Sequence, residues 1–218
     1  MGWSDHESGT RRGYHHGNLR EALIRAALEL ISHKGPAGFT FADAARAAGV
    51  SSAAPYRHFR DRDALLADIA RLGFEKFEMA LAKAWANGKP DPYRAFDALG
   101  RAYLTFAREE PAYYAAMFEA GVPQDADPGL REAGDRAFGV LRKACETLCA
   151  LLPAGQRPPA LMMSLHIWAL AHGIASLFAR PDPSRRKLPM APEELLEAGL
   201  LLYLRGLGFP DAPARGQK

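Results

Sequence analysis

Cysteine is scarce: the 218-residue chain has two, Cys145 and Cys149. That excludes a disulfide framework and points to a reducing cytoplasm. A large charge of one sign is missing too. Lys and Arg number 28 against 25 Asp and Glu, a net charge of +3, far less than sequence-independent binding to nucleic acid would call for. No short β-branched run suggests a sheet. Met1–Thr10 has no apolar stretch, so no secretory leader is expected. A nucleophile elbow, a phosphate-binding loop, a dinucleotide glycine motif, HExxH and CxxC are all absent. The expectation is therefore a protein that is not an enzyme, with no catalytic residue, no cofactor and no metal site. Cys145 and Cys149 share a helix face and read as small buried hydrophobes. His166 and His172 are six apart and fall on different faces, which weakens any metal proposal.

What is present is helix. Hydrophobic residues are 48% and charged residues 24%, the composition of a folded globular chain. Ala and Leu recur at helical spacing, and the fold class expected is all-α. Residues 19–34 carry Leu19, Ala22, Leu23, Ala26, Ala27, Leu30 and Ile31 on one stripe, with Asn18 and Glu21 as a capping pair and Gly35 as the stop. A short helix follows over 41–48, capped by Thr40 and Asp43 and ended by Gly49. Ser51 or Ser52 then caps a third helix to about His58, with Pro55 near its start, where a missing N–H costs little. Asp61 caps a longer helix that ends before Asn87-Gly88. Further helices are expected near 92–109, 111–120, 128–151, 158–180 and 192–207, separated by Pro and Gly. Residues 1–13 and 211–218 read as unstructured tails.

Charge is unevenly placed. Residues 1–60 hold eight basic and five acidic side chains, which accounts for the whole net charge, and five of the seven histidines. This basic section contains two short helices joined by a turn at Gly49, a helix-turn-helix. Small alanines let such helices cross closely, and the second can lie in a major groove with its first side chains against base edges.

The stretch Gly38–Leu66, GFTFADAARAAGVSSAAPYRHFRDRDALL, resembles the DNA-binding domain of the TetR family of bacterial transcriptional regulators. The matching features are Phe39-Thr40, Ala44-Ala45, Ala48-Gly49-Val50-Ser51 and Tyr56-Arg57-His58-Phe59 followed by Leu65. Trp168, His172 and Gly173 spell W-x-x-x-H-G, similar to the C-terminal domain of one subgroup, as are Tyr14 to Arg20 and Ala54 to Phe59. The resemblance implies a DNA-binding domain over 14–72 and a regulatory and dimerisation domain over 73–210. It implies DNA contacts from Thr40, Ser51, Ser52, Ala53, Ala54, Tyr56, Arg57, His58 and Arg62. The short side chains at 51–54 cannot make bidentate base pairs, so thymine methyls, backbone donors and water are the expected partners. Tyr56 and His58 match phosphate-holding positions, and Phe59 reads as core. Arg62 stands where the family has Lys, with its charge kept and a phosphate contact expected of it. Arg11 and Arg12 lie in an arm able to reach a neighbouring groove.

Residues 158–179 contain no Asp, Glu, Lys or Arg. That run is long enough to span a bilayer, but its His, Ser and Gly residues suit a lone span poorly, and no membrane is expected. A soluble helix of this kind must be covered on nearly every side. The leucine-rich 195–207 poses the same demand. A symmetric four-helix bundle between two copies meets it, with Leu165, Ala169, Leu196, Leu200, Tyr203 and Leu204 as the interface. A second apolar set, Tyr103, Phe106, Tyr113, Tyr114, Met117, Phe118, Phe138, Trp168 and His172, reads as an effector pocket with a few polar groups. Whether Trp168 and His172 line a pocket, a dimer interface or plain core stays open at this level. The functional expectation is a dimeric, sequence-specific regulator in the cytoplasm, acting as a repressor on a palindromic double-stranded DNA operator and controlled by a small, mostly apolar effector. The alternative is a helical small-molecule-binding protein or enzyme without sequence-specific DNA binding.

Overall fold

Apolar residues at i, i+3 and i+4 close the first helix, α1 (Leu19–Lys34), and put Leu23, Ala27 and Ile31 in the core. The computed structural model describes residues 19–123, 125, 127–178 and 189–210. The predicted tails, the Arg11–Arg12 arm and the Asn18 cap lie outside the described residues. Among the described residues seven more α-helices follow: α2 (Phe41–Ala47), α3 (Arg62–Trp85), α4 (Pro92–Glu109), α5 (Pro111–Phe118), α6 (Pro128–Ala150), α7 (Ala160–Phe178) and α8 (Pro192–Gly206). Among the described residues there is no strand, and the fold is all-α as expected.

Caps set the boundaries. Asp61 accepts from Ala64 N at 2.8 Å and starts α3. Asp91 and Asp127 do the same for α4 and α6, each followed by Pro at the first helical position. At 1.5 Å per residue, the 24-residue α3 is roughly 36 Å long. It is the strut of the molecule. Its first half carries Leu65, Leu66 and Ile69 in one continuous core with α1 and α2. It also packs against α4, α5 and α6. Gly73 permits the α3–α5 crossing, since a Cβ there would meet Met117 Sδ at 2.8 Å. Asp68 of α3 accepts from Arg20 of α1 at 2.6 Å and from Arg71 at 2.9 Å, which ties α1 to the strut.

The α3–α4 connection turns through three residues with positive φ, Ala86 (45°), Asn87 (54°) and Gly88 (77°). Gly88 is favoured there and Asn tolerates it, but Ala pays roughly 1–2 kcal/mol for the left-handed conformation. Ala86→Gly is therefore expected to stabilise the protein by about 0.5–1 kcal/mol net of the added freedom of the unfolded chain. A thermal melt that leaves the midpoint unchanged or lower counts against this strain.

The helix α7 is, among the described residues, the one long and apolar enough to cross a membrane by length and composition. Its Met163, Ile167, Ala171 and Ile174 are buried, and it packs against α4, α6 and α8. The buried Ser164 hydroxyl donates to Ala160 O at 2.7 Å.

Candidate functional site

The turn after α2 ends in a Schellman motif. Val50 N–H donates to Ala45 O and Gly49 N–H to Arg46 O, both at 3.0 Å, with Gly49 at φ 72°. At the other end Thr40 and Asp43 form a capping box: Asp43 N–H donates to Thr40 Oγ1 at 3.1 Å, and Thr40 N–H to Asp43 Oδ2 at 2.9 Å. The Thr40 hydroxyl, which also donates to Asp43, holds that carboxyl below its ordinary pKa. Exposed Thr40 thus rigidifies the start of α2.

The predicted third helix is shorter than expected. Ser51–Ala53 stay outside any helix, and Ala54–Arg57 form one 3-10 turn without a side-chain cap, so neither serine caps it. Pro55 supplies no N–H, and the turn closes through His58 N–H to Pro55 O at 2.9 Å and Phe59 N–H to the same oxygen at 3.0 Å. Pro55 and Phe59 are buried. Between them Tyr56, Arg57 and His58 all face solvent, as do Ser51, Ser52 and Ala53, while Ala54 is half-buried. Tyr56 is 63% exposed, yet its ring is fixed edge-to-face on Phe41 at 5.1 Å. The tyrosine is presented outward on a packed base.

Arg62 is placed differently from its expected phosphate role. Its Nε donates to Phe39 O at 2.9 Å, its Nη2 to Pro36 O, and its guanidinium lies over the Phe39 ring at 4.9 Å. These bonds turn it inward and pin the α1–α2 loop to the start of α3. Arg60 stands further out, with a side chain 89% exposed and paired to Asp61. It extends the cationic edge beyond Arg57, and in the sequence it is one arginine among several.

In the C-terminal part the predicted aromatic set divides. Tyr103, Phe106, Tyr114 and Met117 are buried, and Tyr113, Phe118, Phe138 and His172 are partly so. Tyr113 and Met117 belong to the α3–α5 crossing, with the Lys76 ammonium 5.0 Å from the Tyr113 ring. Phe106 packs on Phe77 of α3 at 4.9 Å, while Tyr103, Tyr114, Phe118 and Trp168 gather around His172. Tyr114 and Tyr103 hydroxyls lie 2.8 and 3.1 Å from its Nδ1. Phe118 stands edge-on to the imidazole at 4.8 Å, and Trp168, itself edge-on to Phe138, tilts toward it at 6.0 Å. Burial lowers the His172 pKa and keeps the ring neutral, and burial raises both tyrosine pKa values.

Beside this cluster lies a narrow crevice between α4, α6, α7 and α8 whose interior volume of about 10 Å³ has room for about one water molecule. Tyr103 and Trp168 of the predicted set reach it. The rest of its wall includes Phe96, Leu99, Leu141 and Ile167, which nothing in the sequence distinguishes from other core positions. Leu196 and Leu200 also line it. Both are buried within the protomer over Gly100, not facing outward as expected of interface residues. The helical phase explains this: the α8 positions that meet α7 are Gly199, against Leu170, and Tyr203, whose hydroxyl lies 3.0 Å from His166 Nδ1. Leu165 and Ala169 are exposed as expected, and Tyr203 and Leu204 are half-buried. Leu161, Met162, Leu177 and Leu202 extend the exposed apolar surface of α7 and α8.

Among the described residues no three His, Cys, Asp or Glu side chains gather as metal ligands. Burial pushes the Cys145 thiol up to about 12, and Cys149 packs on Met163 with sulfurs 3.7 Å apart. Both behave as core.

The family described as bacterial regulatory proteins, tetR family, matches residues 23–69, and the tetracyclin repressor-like C-terminal domain matches residues 96–202. No curated protein matches the chain. A solved structure from Rhodococcus sp. RHA1, titled a protein with unknown function, is 32% identical over 89% of this chain and 98% of its own, with a TM-score of 0.72. The TetR family transcriptional regulator PfmR from Thermus thermophilus is 23% identical, covering 84% of this chain and 97% of its own, at 0.62. A TetR-family transcriptional regulator from Bordetella parapertussis is 19% identical, covering 89% and 99%, at 0.64. The last two share the fold.

Proposed function

The chain belongs to the TetR family of bacterial regulators, DNA-binding proteins of transcription, and from that premise we propose that it is a homodimeric repressor whose hold on a palindromic operator is set by a small, mostly apolar effector. Residues 14–72 form the DNA-binding domain, and 73–210 the regulatory and dimerisation domain. The observation that carries the reading is the Pro55–Phe59 stretch. Its two apolar ends are buried and the three polar residues between them face outward. A surface loop with no partner has no use for a tyrosine held edge-on over a core ring and exposed on its outer side.

Each exposed residue has a role. Tyr56 and His58 hold phosphates, and Arg57 reaches a phosphate or a base edge. Ser51, Ser52, Ala53 and Ala54 lie close enough for thymine methyls and water-bridged contacts. Thr40 and Arg62 position the reading stretch through the bonds already described. Two copies joined through α7 and α8 present two heads to half-sites about 34–36 Å apart. The effector lies between the helices near Trp168 and His172, and its binding alters the spacing of the heads.

The test is a titration of the purified protein with the DNA upstream of its own gene against a scrambled duplex of equal length, at fixed salt. A preference above roughly 10³-fold is expected. Tyr56→Ala removes one hydrogen bond to a charged group and is expected to weaken binding to both duplexes about 10- to 100-fold, while loss of its edge-to-face contact with Phe41 lowers the melting temperature by only a few degrees. If selection of bound fragments across the genome recovers no preferred sequence, the regulator reading fails and a helical small-molecule-binding protein takes its place.

A further inference from the structure

A cation that holds a DNA phosphate must stand at the surface and keep donors free for it. Arg62 meets neither condition. Its Nε and Nη2 donate to the Phe39 and Pro36 carbonyls, its Nη1 donates to Asp63 at 3.3 Å, and the guanidinium lies over the Phe39 ring. All three nitrogens are engaged, and the side chain is 28% exposed. Swinging it outward would strip two carbonyls of a charged donor and release the α1–α2 loop from the start of α3. Two residues earlier the arrangement is the opposite. Phe59 is buried and its neighbours His58 and Arg60 are both exposed, so Arg60 continues the outward row of Tyr56, Arg57 and His58. Its side chain is 89% exposed, which leaves the terminal nitrogens open to solvent while Nε donates to Asp61 Oδ2 at 2.8 Å. Asp61 does not depend on that bond, because its Oδ1 caps α3 through the Ala64 N–H.

We infer that Arg60, and not Arg62, supplies the side-chain cation that grips the DNA backbone beside Tyr56 and His58, with Asp61 as its resting partner when DNA is absent. The inference rests on the DNA-binding reading and relocates one of its contacts. An exposed pair such as Arg60–Asp61 is worth little, so it yields to a phosphate, which a guanidinium can hold through two parallel N–H bonds. Asp61 keeps its place as the cap of α3 when Arg60 leaves. A phosphate contact carries no sequence information, so Arg60 strengthens the hold on operator and unrelated DNA alike. The carboxylates of Asp61 and exposed Asp63 stand on the same edge. With Arg62 turned inward, Arg60 is the cation that offsets them toward an approaching phosphate.

The experiment titrates the full chain with the duplex upstream of its own gene and with the scrambled duplex over a range of salt concentrations. It reads the slope of log affinity against log salt. Each neutralised phosphate contributes about 0.9 to that slope, so Arg60→Ala is expected to flatten it by about 0.9 per bound head, or about 1.8 for two heads. Both duplexes weaken by the same factor, about 10- to 100-fold at the lowest salt, and the melting midpoint stays within about 1 °C of the parent. Arg60→Lys restores the slope, since a phosphate also accepts a point charge. Arg62→Gln is expected to do the reverse: the midpoint falls by about 4–8 °C as the clasp on two carbonyls is lost, and the slope, measured well below that midpoint, keeps the parent value. A merely structural Arg60 would move the midpoint and not the slope. An unchanged slope in Arg60→Ala overturns the inference, and so does an Arg62→Gln protein whose slope flattens while its midpoint holds. Should Arg62→Gln fail to fold, Arg60→Ala and Arg60→Lys decide the matter. A parent that binds neither duplex removes the regulator reading and the inference together; a parent that binds with a steep slope which Arg60→Ala leaves intact removes the inference alone.

Discussion

Glutamate at both Leu165 and Leu202 is expected to hold the protein as a monomer and to weaken operator binding by two orders of magnitude or more. Leu165 is 44% exposed on α7 and Leu202 is 70% exposed on α8. The helix α7 contains no Asp, Glu, Lys or Arg anywhere along its 19 residues. Leu202 flanks Gly199 and Tyr203, the α8 residues that meet α7, so the two exposed surfaces run together. An uncharged, apolar surface of this extent marks an interaction site. A two-fold interface uses the same patch on both copies. Two substitutions therefore bring four carboxylates into one apolar contact, and removing each from water costs several kcal/mol. The DNA effect follows from linkage: joining two heads raises affinity about 10²- to 10⁴-fold over one, and a monomer forfeits that gain. Sedimentation at micromolar concentration checks the first part and operator titration the second. Met79→Glu is the control, since Met79 is equally exposed, at 64%, but sits on α3. A double variant that sediments as a dimer refutes this interface.

Much of this was legible in the sequence, for identifiable reasons. Gly35, Gly49 and Asp61 punctuate the chain where the first helices start and stop, because capping and positive φ are local demands met by local residues; the caps Asp91 and Asp127 emerge only in the structure. Helix α1 follows its apolar stripe from end to end. The 3-10 turn at Ala54–Arg57 departs from the expected helix because one proline in so short a segment removes a large share of its hydrogen bonds. The orientation of Leu196 and Leu200 was not readable. In a helix with leucine on most faces, which side meets the protomer and which meets a partner depends on Gly199 and Gly100, whose missing side chains decide where α8 can approach. The inward placement of Arg62 was hidden for a related reason. A lone arginine beside a DNA-reading stretch carries the same charge whether it points outward or clasps two carbonyls. The crevice, likewise, is formed from residues of four helices that are indistinguishable from core in one dimension.

Phe59→Ala is expected to destabilise the protein by about 3–5 kcal/mol and to abolish operator binding, where Tyr56→Ala three residues earlier acts mainly on binding and costs about 1 kcal/mol of stability. The two rings belong to one short string and differ in burial. Phe59 is 6% exposed and belongs to the core that joins the reading stretch to α3. Its backbone N–H also closes the preceding turn on Pro55 O at 3.0 Å. Truncation leaves a cavity at that junction, in a region with little else to fill it, because α2 has seven residues and the turn has four. Such a loss is a large fraction of a typical folding free energy of about 5–15 kcal/mol. For a chain of this size it corresponds to a fall of roughly 6–20 °C in the melting midpoint. Loss of DNA binding then follows from geometry even at temperatures where the C-terminal helices persist, since Tyr56, Arg57 and His58 take their orientation from the buried residues on either side. Circular dichroism melts and operator titration of the two variants, measured side by side, separate the roles. A Phe59→Ala protein that melts like the parent places the ring outside the core, and one that still binds its operator removes the anchoring role.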